Sequence, residues 1–451
     1  MITERRFINK KSCLKRFLKI NVIKMTECVL RRISFLVKDV CKVRCYASFI
    51  PLPEPVSSKK KKCRMYSFGL AELGALGIEN SDNKLMKKYV AKPVRISFAE
   101  KNVVTRVACG HGFTAIGVDS DDRIKLYGTG LATEGQIGER SDKIVDRPVP
   151  IDLGLRDETT RIISLSAGRA HVAVVTDKEG VFLLGNNSYG QCGQEPEFDS
   201  NGVCVTLNHI KNLDGMNVDA VCCGQDHTIF LAQGNVYACG WGADGQMGQC
   251  STKNLSTPKI ISGDLCFEKV LKVTGCADTV LALTEKGEIF GWGSSECAQL
   301  SNEHDIQQIN LPKMLECVQS MCGKIIDVAA GGSFCIVLNE HHEVFVWGYG
   351  ILGGGPKLEK TSKPFKIPVT LFGNNEFDRL AKPMSVHCGL SHFAVINSNR
   401  HVFTWGKNRH GCLGIGQTRD QYFPYKVALS GLAKQISCGF DHTVILADPI
   451  I

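Results

Sequence analysis

The chain contains no apolar run approaching the ~20 residues that a membrane-spanning helix needs, although 43% of its 451 residues are hydrophobic. A soluble or membrane-peripheral protein is expected. It has no Gly-x4-Gly-Lys-Ser/Thr loop, no Gly-x-Ser-x-Gly elbow and no His-Glu-x-x-His pair. Nucleotide hydrolysis, elbow-type acyl transfer and zinc-protease chemistry therefore have no carrier. No two of the 21 cysteines stand in Cys-x-x-Cys spacing, which removes the usual zinc frames and points to a reducing compartment. No catalytic residue, metal ligand, cofactor or small-molecule substrate is nominated.

What the chain has is glycine in register. The stretch Cys223 to Gly248 is one unit. Its apolar run ends in Gly224, His227 opens a strand, Gln233-Gly234-Asn235 turns it, and Val236–Cys239 returns before the corner Gly245-Gln-Met-Gly248. Two β-rich runs joined by a Gly/Asn turn read as a hairpin, since both residues tolerate positive φ. The anchor glycine recurs as Gly110, Gly168, Gly224, Gly275, Gly331, Gly389 and Gly439, at intervals of 58, 56, 51, 56, 58 and 50 residues. Repeats of short strands at this period predict an all-β, seven-bladed β-propeller.

The ends settle closure. The seventh repeat runs out at Ile451, and its missing part, Tyr66-Ser-Phe-Gly69 with Gly74-Ala-Leu-Gly77, stands at the other end. An N-terminal strand that completes the last blade would also pair an edge otherwise open to aggregation. Glu139–Arg161, Gln194–Val218, Gln249–Lys269, Asn302–Lys324 and Gly355–Met384 read as inter-blade loops. In the fourth repeat, Asp278 takes the position that His171, His227, His392 and His442 hold elsewhere. One histidine per blade predicts hydrogen bonds to neighbouring backbone, and Trp241, Trp292, Trp347 and Trp405 predict packing anchors.

The net charge of +9 is unevenly placed. Residues 1–64 hold 18 Lys/Arg against Glu4, Glu27, Asp39 and Glu54, a net +14, so residues 65–451 carry −5. Apolar and basic residues at helical spacing, with few acids, predict a mitochondrial transit peptide over 1–47, from Met1 or from Met25. A cut after Tyr46, with Arg44 upstream, would end it. Residues 48–64 form a Pro/Lys-rich linker with Lys59–Lys62, and the propeller occupies 65–451. Within the ring, Lys357, Lys360, Lys363 and Lys366 form the best basic cluster. A solvated loop is the plainer account of it, and an RNA contact is the functional alternative.

The Gly-x-x-His anchors and the split last repeat resemble the regulator of chromosome condensation family over about residues 64–447. With its tail and Tyr66-Ser-Phe-Gly-Leu-Ala-Glu-Leu-Gly-Ala-Leu-Gly77, the chain is most similar to the family's mitochondrial, guanine-exchange-factor-like branch. The resemblance implies exchange on a dynamin-like GTPase of the inner membrane, in mitochondrial fusion. It also implies, as the alternative, a non-enzymatic scaffold for mitochondrial rRNA and its modifying proteins in ribosome assembly. Of three features the family's nuclear founder uses for exchange, one survives, as Asp226. Its wedge is replaced by Asn186-Asn187-Ser188-Tyr189 and its histidine by Ala298. The resemblance thus places the GTPase contact at Asp226 and Asn186–Tyr189, in the matrix or at the inner-membrane periphery.

Overall fold

A computed structural model describes residues 63–79, 88–200, 204–300 and 306–450. The transit segment 1–47 and the run Lys59–Lys62 lie outside the described residues. Seven four-stranded antiparallel sheets account for the architecture. Blades one to six each use four consecutive strands. In blade one these are Val104–Cys109, Phe113–Val118, Leu126–Leu131 and Ile144–Ile151. The first strand of every blade touches the first strand of both neighbours, in unbroken cyclic order, so these strands surround the axis.

Closure uses two N-terminal strands. Blade seven is Gly431–Cys438 and His442–Pro449 followed by Arg64–Leu70 and Tyr89–Ile96. Arg64–Leu70 pairs antiparallel with the C-terminal strand, from Arg64 opposite Ala447 to Gly69 opposite His442.

The five stretches read as loops each carry the fourth, outermost strand of a blade: Ile144–Ile151, Val205–Ile210, Leu255–Ile260, Gln308–Met314 and Lys360–Ile367. Proline hid them. Six of the seven outer strands contain it (Pro93, Pro148, Pro258, Pro312, Pro364 and Pro424, with Pro150 besides). In those six blades the register shifts where the third strand reaches its glycine. In blade three, for example, Ala238 faces Lys259 but Gly240 faces Leu255. Three outer residues, ending in the proline, stand opposite one. The proline's missing N–H is thus placed where no ladder bond is due. Blade two, Val181–Asn186 against Val205–Ile210, has no proline in its outer strand and no shift.

The third-strand glycines, Gly69, Gly130, Gly185, Gly240, Gly293, Gly348 and Gly406, have φ between +96° and +119°. A Cβ on Gly240 would lie 2.5 Å from the Asp226 carbonyl oxygen. Only glycine fits there.

Inner strands expose an edge toward the axis, and side chains of the preceding blade satisfy it. Ser166 Oγ accepts the Cys223 N–H at 2.9 Å and Ser437 Oγ that of Cys109 at 2.9 Å. The Asp327 carboxylate accepts the Val386 N–H at 2.9 Å and pairs with Lys272 of the blade before. The apolar core fills the space between blades, with Trp292, Trp347 and Trp405 fully buried.

Blade four departs from its expected register. Thr274 faces Leu281 and Thr279 faces Gly293, whereas in blade three Cys223 faces Thr228 and His227 faces Gly240. The anchor-glycine position is therefore Cys276, not Gly275, and the histidine position is Thr279, not Asp278. Asp278 is instead the structural counterpart of Asp226. An apparent glycine one residue early disguised the slip.

Candidate functional site

The Gly-x-x-His turns join first to second strands and the corners join third to fourth strands, so both emerge at one end of the ring. The histidines hold this end together from below. His171 Nε2 lies 3.0 Å from Thr228 Oγ1, His392 Nε2 3.0 Å from Thr443 Oγ1, and His442 Nε2 2.8 Å from Thr114 Oγ1. Each threonine belongs to the next blade and donates its only proton to a corner carbonyl, that of Gln191, Cys412 or Ala75, at 2.8 Å. The hydroxyl must then accept from imidazole Nε2–H. The partner is a relay hydroxyl, not backbone directly.

At two junctions a tryptophan caps the corner instead: Trp292 Nε1 donates to the Gln246 carbonyl at 2.9 Å and Trp347 Nε1 to that of Gln299 at 2.7 Å. Val280 replaces threonine beside His227. Both ring nitrogens of this fully buried histidine lack a partner.

Above this layer, Arg169 grips Asp226. Nη2 lies 2.8 Å from Oδ2, and Nε lies 3.1 Å from Oδ1. The guanidinium is 49% exposed and the carboxylate 14%. Burial raises the Asp226 pKa, and Arg169 opposes that rise. The Arg169 guanidinium also interacts with the Tyr189 hydroxyl. The Tyr189 ring packs edge-on against Trp241 at 4.7 Å, and Trp241 Nε1 donates to Asp244 at 3.1 Å. Asp278 accepts from Gln246 Nε2 at 2.8 Å. Burial pushes its pKa up to about 6, and Asp244 and Asp226 reinforce the shift. Three carboxylates and one arginine thus share the end of blades two to four.

The structure brings Asp226 and Tyr189 together through Arg169, a residue sequence reasoning missed because it fills a variable position of Gly168-Arg-Ala-His171. Asn187 is not a contact residue. It is fully buried, its carbonyl accepts the Cys192 N–H at 2.9 Å, and its amide donates to Gln194. Asn186 is also committed, bonding Ser188 and Gln191 within the loop and Glu134 in the corner of blade one. Ser188 is half-buried beside Tyr189. The lysine cluster lies elsewhere: Lys360, Lys363 and Lys366 stand on the outer strand of blade five with Lys357 before it, all exposed, and Lys366 pairs with Glu343.

Fold and site define a class: a closed seven-bladed propeller that carries the Arg169–Asp226 pair among the loops at one end. Among the described residues no group of three or more His, Cys, Asp or Glu is arranged to hold a metal ion. The chain belongs to the regulator of chromosome condensation (RCC1) repeat family, whose pattern matches residues 64–116, 178–231, 233–283, 286–338 and 401–446. It is 42% identical over 410 residues to the RCC1-like G exchanging factor-like protein of Mus musculus, spanning 86% of this chain and 88% of that one. The corresponding Homo sapiens protein is 40% identical over 425 residues, spanning 89% and 90%. The crystal structure of human WBSCR16 matches with a TM-score of 0.80 at 40% identity, covering 86% of this chain and all of that one. Prp20p of Saccharomyces cerevisiae, at 18% identity and a TM-score of 0.71, shares the fold.

Proposed function

We propose that this chain is a mitochondrial guanine-nucleotide exchange factor or regulator for a dynamin-like GTPase of the inner membrane, acting in mitochondrial fusion. The observation that carries the reading is the Arg169–Asp226 pair, its guanidinium half exposed and backed by Tyr189. An exchange factor stabilises the empty GTPase, so it must supply groups where phosphate and magnesium were. Asp226, Asp244 and Asp278 offer acceptors for the lysine that a departing phosphate frees, and Arg169 offers donors to its carboxylates. Relatives at 40–42% identity carry the name G exchanging factor-like. Prp20p was described together with its binding to Gsp1p and histones. The net +14 of residues 1–64 supports mitochondrial import.

A second reading, a scaffold in mitochondrial rRNA modification and ribosome assembly, rests on the exposed row Lys357, Lys360 and Lys363. One experiment separates the two. The protein is used as bait in mitochondrial lysate, once with EDTA and once with GTP and magnesium. Capture of a GTPase only in EDTA, weakened at least tenfold by Asp226→Ala, supports exchange. Capture of ribosomal RNA that ignores nucleotide and collapses at high salt replaces it with the scaffold.

A further inference from the structure

Charge is distributed around the ring far from evenly. Residues 88–96, 355–368 and 407–426 each carry a net +3, so the rest of 65–451 holds −14. These three segments include the outer strands of blades seven, five and six: Tyr89–Ile96, Lys360–Ile367 and Gln421–Lys426. They are continuous in space. The Phe423 ring of blade six lies against Gly355 of blade five, 3.1 Å from where a Cβ would stand, and Gly416 of blade six donates to the Ala91 carbonyl of blade seven at 2.7 Å. The middle blade presents aromatics, Phe423 at 44% and Tyr425 at 54% exposure. Lysines Lys357, Lys360 and Lys92 flank them on the adjoining blades, with Lys426 on the same strand, all exposed.

We propose that this flank docks the protein peripherally on an anionic lipid bilayer. An aromatic centre that reaches the headgroup boundary, bordered by long cationic side chains that reach the surface charge from either side, is the arrangement a membrane plane selects. Among the described residues no helix is long and apolar enough to cross a membrane, so attachment is by surface contact. The outer strands of blades five to seven lie on other blades than the Arg169–Asp226 pair, which belongs to blades two and three, and the inference stands whether or not that pair meets a GTPase.

The test is co-sedimentation of the full chain with vesicles of 30% anionic and 70% neutral phospholipid, and with wholly neutral vesicles. Wild type binds the anionic vesicles, and binding weakens with salt. Each basic residue near such a surface contributes roughly fivefold to partitioning. Lys92→Gln, Lys357→Gln, Lys360→Gln and Lys426→Gln combined therefore lower it by on the order of a hundredfold or more. Phe423→Ser with Tyr425→Ser lowers it separately. Lys253→Gln with Lys259→Gln in blade three leaves it unchanged. Every variant retains the basic tail, so unaltered binding by the flank variants assigns adsorption to the tail and overturns the proposal. Preference for a single-stranded 20-mer RNA over anionic vesicles, lost in the same variants, overturns it in favour of a nucleic-acid strip.

Discussion

At the residue scale, the junctions between blades pair like with like. His171, His392 and His442 meet Thr228, Thr443 and Thr114 of the next blade, while the Phe334 and Phe393 rings meet at 4.0 Å. His227 alone among these histidines faces an apolar neighbour, Val280, and its imidazole lies buried without a partner. His227→Phe should therefore be neutral or stabilising, while His171→Phe strands the Thr228 hydroxyl's partner site and costs about 1–3 kcal/mol. Chemical denaturation of the two variants checks the contrast. Asp278 supplies a pH-dependent comparison. Its folded pKa of about 6 stands above its usual value, so the folded state binds the extra proton. Its contribution to stability is therefore lost as pH rises through about 4 to 6. Asp278→Asn should gain on wild type as pH rises through that window, by about 1 kcal/mol after solvent screening, as read from paired melts at pH 5.5 and 7.5.

At the element scale, how far each strand was legible follows from what it must contain. First, second and third strands announce themselves through glycine positions that sterics enforce, as at Gly168, where a Cβ would lie 2.3 Å from the His171 ring. Outer strands need only to stop further pairing, and their prolines and exposed polar residues look like loops for that reason. The same contrast governs the site. Asp226 draws attention in the sequence because it abuts a fixed histidine, whereas Arg169 occupies a position that the fold leaves free. Asn187 shows the converse error, a polar residue that looks available in a loop but is consumed in shaping it. Where the closing strands are concerned, the consequence is direct. A chain starting at Ala71 should expose the edge of His442–Pro449 and run as oligomers or aggregate on size-exclusion chromatography, whereas one starting at Lys60 should remain monodisperse.

For the whole molecule, the decisive quantity is the number of histidines folded neutral. Burial lowers His111, His171, His387 and His392 to about 4, and His227 and His442 to about 3. An unfolded chain protonates all six below about pH 6.5 while the folded one does not, so stability falls as pH drops through that value. Each contributes up to about 1.4 kcal/mol per pH unit. Six together exceed a typical stability of about 5–15 kcal/mol within two units. Cooperative acid unfolding near pH 5, followed by circular dichroism, is the expected outcome, and retention of structure at pH 4 would refute it. The closing pair of strands has a mechanical meaning as well. Residue 64 lies opposite residue 447, so both chain ends leave from the same end of the antiparallel pair. Tension applied between the termini peels that seam one hydrogen bond at a time instead of shearing it all at once. A ring of seven interlocked blades should therefore yield to a modest pull at its ends.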